Sequence, residues 1–409
     1  MIIKPRWRWA SYSRYCKVLV SLLLAWTVFD LINVRRSFAS DAATMTPSFG
    51  NQKIFIASLH WTSEIVLRSH WAPAVTELAR HIGTDKVFIS IYESGSFDDT
   101  KGALQDLWED LERAGIPNKI VLDEATHKDE VEKPPADTGW IQMPRTQTYR
   151  TWVPRRIPYL ARLRNLVMEP LYELKQQGQI FDKVLWLNDV VFETDDVYRL
   201  LGTREGEYAA ACALDFKHPP YFYDTFATRD MRGYEPIMDT WPYFRSAASR
   251  QAIKHGEAVP VASCWNGMVM FDAAPFYDKD QPLRFRGIAD DLAISHVEGS
   301  ECCLIHADNP LSLTKGVWIN PNVRVTYNTS LYNAVNPRNG MPLPSVLQIV
   351  TGLWKNRISR WLSVFMLRDR TVDAKVRKWS SKDVKHREPG TFCLIDEMQI
   401  MLWNGWGHA

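Results

Sequence analysis

A chain of 409 residues is long enough to bury a large core, as one large domain or two smaller ones. Its 49 Lys and Arg residues against 47 Asp and Glu residues give a formal net charge of +2, which offers no electrostatic case for nucleic-acid binding. The 17 Trp, 15 Tyr and 17 Phe residues are unusually numerous, and although most of them fill the core, Trp-rich sites suit sugar faces. The composition therefore leans toward carbohydrate as a ligand.

The N-terminus has the pattern of a signal anchor. An apolar run, residues 18–29, follows basic residues that include Arg6, Arg8, Arg14 and Lys17, and Asp30 comes directly after it. The positive-inside rule then predicts a cytosolic basic tail at residues 1–17, a membrane span at residues 18–34 and a luminal location for the rest. Residues 35–51, small and polar, read as a stem. A signal peptide cleaved near residues 37–40 is the alternative, and both interpretations lead into the secretory pathway.

The next segment has the pattern of a βαβ unit followed by a third strand. We predict buried strands at residues 53–59, 86–92 and 119–122, and helices at residues 71–82 and 102–114. The loop after the second strand leaves the sheet edge where open α/β sheets bind nucleotides, so Glu93 or Asp98 can meet a ribose or base. A helix cap is the alternative role for Asp98 and Asp99.

An arginine-rich helix follows a long polar loop at residues 123–154. Residues 155–168 predict a helix with Pro158 in its first turn and an apolar buried face. Arg162 lies near the edge of that face, where a guanidinium can clamp a diphosphate through two hydrogen bonds. A solvated surface rich in arginine is the alternative.

The chain is organised around residues 181–192. The apolar run at residues 184–187 predicts a strand buried on both faces, and it stops at Asn188 and Asp189. A carboxylate at the carboxyl end of a central strand can hold a divalent cation against nucleotide phosphates. Turn chemistry is the alternative role for this pair.

Further strands and an acidic segment complete the chemistry-bearing part of the chain. Residues 208–216 predict a core strand that reaches Asp215, and residues 267–272 predict another, introduced by residues 263–266. Gly267 would let the backbone approach a ligand closely. Residues 295–308 are dense in acid, base and metal-ligand types. Of the five cysteines beyond the anchor, at least one must be free or intermolecular, and the adjacent Cys302 and Cys303 are expected to have different partners.

Several of these segments together resemble a known family. The matching text lies at residues 156–165, 187–192, 264–268, 299–308 and 316–325. The chain resembles nucleotide-sugar-binding glycosyltransferases of the A type and, more narrowly, the fungal capsule-associated α-1,3-mannosyltransferases. The resemblance covers roughly residues 54–337. It implies an α/β fold with one mixed, mainly parallel sheet flanked by helices, a catalytic domain at residues 52–337 and a C-terminal extension at residues 338–409.

The resemblance also implies a divalent metal, Mn²⁺ or Mg²⁺. Such enzymes usually hold it through an Asp-x-Asp signature, of which this chain has no literal copy. Asp189 best matches the second, metal-binding Asp, whereas Asn188 is neutral. His306 is our candidate for a further ligand because imidazole suits Mn²⁺ better than Mg²⁺. A buried, hydrogen-bonded His306 without a metal is the alternative.

The implied activity is transfer of mannose from GDP-mannose to a hydroxyl of a mannose-containing glycan. The enzyme would be a single-pass type II protein of the Golgi membrane, forming an α-1,3 linkage with retention. Retention requires either a carboxylate nucleophile or attack on the donor's own face, and both remain open. The predicted catalytic residues are Glu301, Glu298 and Asp215. The predicted donor-binding residues are Arg162, Arg164, Asn188, Glu93, Trp265, Asn266 and Gly267.

Two alternatives from other classes remain. A sugar nucleotidyltransferase shares this kind of sheet, although a membrane anchor argues against such a normally cytosolic activity. A non-catalytic scaffold of a polysaccharide-synthesis complex would keep every motif as core packing.

Overall fold

The structure is a computed structural model that describes residues 6–40, 50–143, 151–337, 344–362 and 366–408. Its strands are β1 (Ile54–His60), β2 (Val87–Ser94), β3 (Asn118–Asp123), β4 (Trp140–Gln142), β5 (Trp152–Pro154), β6 (Lys183–Leu187), β7 (Ala210–His218), β8 (Tyr221–Phe222), β9 (Arg229–Asp230), β10 (Val259–Ser263), β11 (Met268–Asp272), β12 (Glu298–Gly299), β13 (Val317–Thr326), β14 (Leu394–Ile395), β15 (Gln399–Leu402) and β16 (Gly405–His408). Its α-helices are α1 (Arg6–Ser40), α2 (Glu64–Val66), α3 (Ala72–Ile82), α4 (Thr100–Arg113), α5 (His127–Glu132), α6 (Arg156–Gln176), α7 (Thr194–Leu201), α8 (Ala247–His255), α9 (Asp290–Ala293), α10 (Glu301–Asp308), α11 (Thr329–Val335), α12 (Val346–Leu362) and α13 (Met366–Ser380).

One ten-stranded sheet forms the centre of the molecule. Its order is β3-β2-β1-β6-β11-β7-β13-β10-β9, and β8 pairs with β7. The first four strands are mutually parallel, β11 runs antiparallel between β6 and β7, and β13 is parallel to β7. The expected mixed, mainly parallel sheet flanked by helices is therefore confirmed. The carboxyl ends of β1, β2, β6 and β7 meet the start of β11 at one edge.

The alternation of side chains along β6 explains why its whole run is apolar. Val184 and Trp186 belong to the core beneath α6, whereas Leu185 and Leu187 belong to the core beneath α3, α4 and α7. Successive side chains of a strand point to opposite faces, so a strand covered by helices on both faces has no position left for a polar residue. The prediction for residues 184–187 is confirmed.

The stretch predicted as one long loop at residues 123–154 is partly structured, so that prediction was incomplete. It contains α5 and the antiparallel pair β4–β5, while residues 144–150 lie outside the described part. A capping box starts α5: the Thr126 side chain accepts from the Asp129 backbone, and the Asp129 side chain accepts from the Thr126 backbone. Elements this short carry too little periodicity to be recognised from sequence.

Two disulfides join parts of the domain that are distant in sequence. Cys212 of β7 bonds to Cys264, and Cys303 of α10 bonds to Cys393. Cys302 is buried and free. The expectation that at least one cysteine beyond the anchor has no partner within the chain holds for the described residues. The expectation that Cys302 and Cys303 bond to different partners was wrong, because only Cys303 is bonded and Cys302 is free.

The segment set apart as a C-terminal extension packs on the sheet domain wherever it is described. The hairpin β15–β16 lies against α5 and α6, and Ile400 bridges to Arg155. The short strand β14 pairs with β12. Residues near the end of the chain therefore help to shape the start of α6.

Among the described residues, α1 holds one span, Tyr15–Ser37, that is long and apolar enough to cross a membrane by length and composition. The carboxyl half of this helix packs on the domain. Asp30 forms a buried ion pair with Arg357 of α12, and Trp26 packs edge-on against Trp354 at 5.7 Å between ring centroids. The structure thus gives the charge at the end of the apolar run a partner inside the domain.

Candidate active site

Asn188 ties the end of β6 to its neighbours. Its backbone N–H donates to the carbonyl of Gly267 at 2.9 Å, and its own carbonyl accepts from Nε1 of Trp71 at 2.9 Å. Its side-chain Oδ1 accepts from Nε1 of Trp265 at 3.1 Å. All three contacts hold the backbone that carries the following Asp189. The contacts of Asn188 and Trp265 therefore fix where the Asp189 side chain begins.

Asp189 lies half-buried at the carboxyl edge of the sheet. Burial raises the pKa of its carboxyl, and the charge of Lys217 partly offsets this rise. No Lys, Arg or His nitrogen of the described residues lies within 4.0 Å of its carboxylate oxygens. The ionised form therefore calls for a cation from outside the chain.

Two more carboxylates lie beside this position. Asp215, in β7, accepts from the hydroxyl of Tyr327 at 3.1 Å and from the backbone N–H of Asp224 at 3.2 Å. Burial, with the adjacent charge of Asp224, raises the pKa of Asp215 to about 8. Burial raises the pKa of Tyr327, and the charges of Asp215, Asp189 and Asp224 raise it further, so all three acids lie in the neighbourhood of its hydroxyl. Sequence reasoning missed Asp224, whose only signal is its place at the end of an aromatic loop.

Asn266 and Gly267 form a tight turn between these acids. Both have left-handed backbones, with φ of 56° and 75°. The backbone N–H of Asn266 donates to Asp224 at 3.0 Å. A Cβ on Gly267 would come within 2.8 Å of a methyl of Val190 and 3.2 Å of a methyl of Val325. Gly267 is thus required by packing of the protein on itself, a different reason from the close ligand approach that we predicted.

Arg164 and Glu301 form a buried pair beneath the same edge. Arg164 Nε donates to Glu301 Oε1 at 3.0 Å, and the guanidinium lies 4.3 Å from the Trp265 ring centroid and 5.1 Å from that of Trp186. Nη1 of Arg164 is buried and has no hydrogen-bond partner in the described chain. No described residue bonds to Oε2 of Glu301 either. Both side chains therefore keep an atom free for a ligand.

Arg156, in the first turn of α6, adds a second cation that sequence reasoning did not single out. Its Nη1 donates to Gln399 at 2.6 Å, and its guanidinium lies 4.4 Å from the ring centroid of Trp406. The charges of Glu301 and Arg164 both act on its pKa, which burial lowers. The signal was present as the cluster of arginines in residues 155–164, but the residues that orient Arg156 come from the far end of the chain.

Glu298 and His306, both predicted as site residues, have partners within the protein and lie apart from Asp189, Asp215 and Asp224. Both oxygens of Glu298 are held by Arg155, at 2.6 and 3.3 Å, in a fully buried pair that fastens α6 to β12. His306 is buried, stacks on Phe271, and bonds through Nε2 to the carbonyl of Cys264 at 2.6 Å. Burial lowers the pKa of His306 to about 4. Its nearest sulfur atoms belong to a disulfide and are not metal ligands.

Glu93 and Arg162 lie toward the other end of the edge, at β2 and β3. Glu93 is buried and pairs with Lys101, and it also accepts from the backbone N–H of Ser96. Arg162 is half-exposed and pairs with Glu130 at 2.9 Å. Both proposed donor-binding residues therefore already have partners within the protein.

The donor atoms at the edge fit a hard divalent cation. Asp189 supplies carboxylate oxygens, which Mg²⁺ and Mn²⁺ prefer. The side-chain oxygens of Asp189, Asp215 and Asp224 do not all lie within 4.8 Å of one another in the described chain, so the three acids do not form one ligand set. Burial, and after it the charge of Asp224, raises the pKa of Asp215, and a cation bound nearby would favour its ionised form. Asp189 would hold such an ion.

The chain is similar to one protein family and to several solved structures. The family model described as Cryptococcal mannosyltransferase 1 matches residues 53–308. No curated protein matches the chain significantly. A mannosyltransferase from Pyrobaculum calidifontis, PcManGT, solved with GDP-Man and Mn²⁺, is similar at 10% identity, with 91% of this chain and 87% of that chain covered and a TM-score of 0.38. S. aureus TarS 1-349 is similar at 10% identity, with 75% of this chain and 72% of that chain covered and a TM-score of 0.36. GalNAc-T7 with UDP, GalNAc and Mn²⁺ is similar at 10% identity, with 68% of this chain and 44% of that chain covered and a TM-score of 0.36.

The family match covers more than half of the chain and includes β1 through α10, which carry every acid of the edge cluster. The protein is a glycosyltransferase. It belongs to the cryptococcal mannosyltransferase 1 family, so the family resemblance read from the sequence is confirmed.

Proposed function

We propose that the chain transfers mannose from GDP-mannose to a hydroxyl of a mannose-containing glycan, in a metal-dependent reaction at the edge formed by β6, β7 and β11. The mannosyltransferase family match carries the proposal. The acidic cluster around Asp189 and the arginine pair of α6 support it, because a sugar diphosphate needs charge neutralisation as it leaves. The α-1,3 linkage with retention follows from the family resemblance alone.

Each side chain has a task set by its contacts. Arg164 would donate its free Nη1 to the diphosphate, with its guanidinium held against the rings of Trp265 and Trp186. Arg156 would add a second positive charge on the same side. Asp189 would hold Mn²⁺ or Mg²⁺, which when bound would neutralise charge on the diphosphate. We keep Asn188, Trp265, Asn266 and Gly267 as residues that position this donor site.

Glu301 is our leading candidate for the sugar-facing carboxylate. Arg164 holds one of its oxygens and leaves the other without a partner in the described chain, which suits orientation of the acceptor hydroxyl or stabilisation of an oxocarbenium-like centre. Asp215 is a second candidate, but burial and the charge of Asp224 raise its pKa, which favours its protonated form. Retention through a carboxylate nucleophile and retention through same-face attack both remain compatible with this arrangement.

The test is a transfer assay with the full chain in detergent, GDP-mannose, a mannose oligosaccharide and Mn²⁺. We expect GDP release coupled to elongation of the oligosaccharide, abolished by chelation and restored by Mn²⁺. The Asp189→Asn variant keeps the size of the side chain but removes its charge, so it should fold and lose at least about a hundredfold in rate. Normal transfer by Asp189→Asn, or indifference to chelation, would contradict the metal site. Release of pyrophosphate during sugar-nucleotide synthesis would indicate the nucleotidyltransferase, and no turnover of any nucleotide sugar would indicate the scaffold.

We also propose that the enzyme sits in the Golgi membrane through α1, with its catalytic domain in the lumen. The span Tyr15–Ser37 and the basic residues that precede it support this orientation.

A further inference from the structure

A cavity of about 530 Å³ opens beside the sheet, away from the acidic cluster. Leu214 and Phe216 line it, and because side chains alternate along a strand, it lies on the face of β7 opposite to Asp215. Trp241 and Tyr243 form another wall, and Gly352 of α12 closes the side. The volume falls within the range of small-molecule sites, and the walls are mostly apolar.

One buried cation enters this apolar cavity. Arg324 of β13 lines it and is only 8% exposed. The guanidinium of Arg324 makes a single hydrogen bond in the described chain. It is a long one, 3.5 Å from Nη1 to the carbonyl of Val335. No carboxylate oxygen of the described residues lies within 4.0 Å of its guanidinium, and burial lowers its pKa to about 10. A buried guanidinium without a counter-ion is costly, so the site calls for an anionic ligand.

The same cavity adjoins the helix that can span the membrane. Thr351, Gly352 and Lys355 of α12 line the cavity. The neighbouring Trp354 donates from Nε1 to the hydroxyl of Thr27 in α1 at 3.0 Å. A helix that contacts α1 within its apolar span thus also forms the cavity wall.

The outer surface of α12 is apolar as well. Leu347, Ile358, Trp361 and Leu362 are 72%, 48%, 62% and 67% exposed. Their spacing places them along one side of the helix together with Trp354. Exposed apolar residues in continuity with a membrane helix indicate contact with the bilayer surface.

We propose that the cavity binds a phosphate-bearing lipid drawn from the membrane that α1 spans. Arg324 holds the phosphate through charge-assisted hydrogen bonds, and the apolar walls pack on the first part of the hydrocarbon chain. A nucleotide fits less well, because its base and ribose would lose hydrogen bonds to water against walls that offer few polar partners. This inference rests on the proposed membrane anchoring and is independent of the transfer reaction.

The experiment uses the full chain in phosphatidylcholine nanodiscs that contain phosphatidic acid with a photoreactive diazirine in its acyl chain. After irradiation, we expect labelled peptides from the cavity wall, in β7 or α12. Arg324→Gln should reduce this labelling about tenfold, the loss that follows when a strong charge-assisted contact is removed. Arg113→Gln, on the exposed surface of α4, is the matched control and should label as the parent does.

A second variant guards against misfolding of the first. Thr351→Trp places a large side chain at the cavity wall on an exposed helix position, leaves Arg324 unchanged, and should also reduce labelling while the melting temperature stays that of the parent. Equal labelling of the parent, Arg324→Gln and Thr351→Trp would overturn the proposal. So would loss of labelling in the parent when inorganic phosphate is added, since the site would then hold free phosphate. GDP binding, measured on the same samples, separates failure of the lipid site from failure of the donor site.

Discussion

Arg164 differs from its neighbours in α6 because its surroundings select a planar cation. Two Trp rings and the carboxylate of Glu301 fix the guanidinium, and Nη1 remains without a partner in the described chain. A lysine ammonium carries the same charge but can neither stack on both rings nor offer a second fixed donor.

We therefore expect Arg164→Lys to lower the affinity for GDP about tenfold, while retaining most of the charge balance with Glu301. Titration calorimetry with Mn²⁺ and GDP measures the effect, and thermal unfolding checks that the variant is folded. The half-exposed Arg162, changed in the same way, is the matched control from the same helix. A larger loss for Arg162→Lys than for Arg164→Lys would move the diphosphate site to the β2–β3 end of the edge.

His306 illustrates how burial decides the charge of a side chain. Its Nε2 lies 2.6 Å from the carbonyl of Cys264, which the neutral ring satisfies as a donor. Its Nδ1 is buried and has no partner in the described chain, so a proton added there would gain no hydrogen bond. Burial therefore lowers the pKa to about 4.

The consequence is acid sensitivity. Between about pH 6.5 and pH 4 the unfolded chain binds the proton and the folded protein does not, so stability falls as the pH decreases, by about 1 kcal/mol per pH unit for this group. His60, whose pKa burial lowers to about 3, acts in the same direction. Urea unfolding of the full chain at several pH values measures the slope, and His306→Gln should make it shallower. An unchanged slope in His306→Gln would show that His306 is already charged in the folded state.

At the level of elements, the hairpin β15–β16 is the part of the chain that completes the start of α6. Ile400 is fully buried in a small cluster with Ile141, Val153 and Met398. Gln399, next to it, accepts the hydrogen bond from Arg156. A segment far from the sheet strands in sequence thus positions a cation of the site.

We expect Ile400→Ala to lower the free energy of unfolding by about 2–4 kcal/mol, since it removes buried methylenes and leaves a cavity. Denaturant unfolding of the full chain measures the loss. Leu313→Ala, at a position that is 96% exposed, should change stability by less than about 0.5 kcal/mol and is the control. If Ile400→Ala is as stable as Leu313→Ala, the hairpin does not pack on the domain as described.

For the whole molecule, the placement of α1 decides where the domain sits relative to the bilayer. Val34 is buried in the main core cluster, and Asp30 pairs with Arg357, so the carboxyl end of the helix is held by the domain. If α1 spans the membrane, these contacts would hold the sheet domain close to the bilayer.

A tag at Met1 should be accessible to protease in sealed microsomes, and a tag at Ala409 should be protected, because the basic residues before the span stay cytosolic. Detergent must expose the second tag, which controls for intact vesicles. The reverse pattern, or complete solubility of the full chain, would overturn the luminal assignment. Loss of the N-terminal tag from the membrane fraction would instead indicate cleavage of a signal peptide.

Local pattern was sufficient to locate β1, β2, β3, β6, β7 and β11, whereas the order of the strands was known only from the structure. An apolar run without alternation identifies a strand covered on both faces, and the strand that ends at Asn188 and Asp189 was recognised in this way. The family could also be named from the sequence, because its matching segments are long and contiguous. The short elements at residues 127–154 were not predicted, because a strand of three residues is too short to show an alternation of apolar and polar side chains.

The partners of individual charges were decided only by the tertiary structure. From sequence alone, Glu298 and Glu301 are equivalent acids of one cluster, yet Arg155 occupies both oxygens of the first and Arg164 only one of the second. Asp224 lies next to Asp215 because the loop that carries it folds back onto β7, where its backbone N–H donates to the Asp215 carboxylate. Both of these arginine–glutamate pairs join positions more than a hundred residues apart in sequence. The periodicity of apolar residues describes only a local segment and cannot reveal such pairs. The sequence by itself therefore determined the fold class and the family, whereas packing decided which acids and arginines remain free for a ligand.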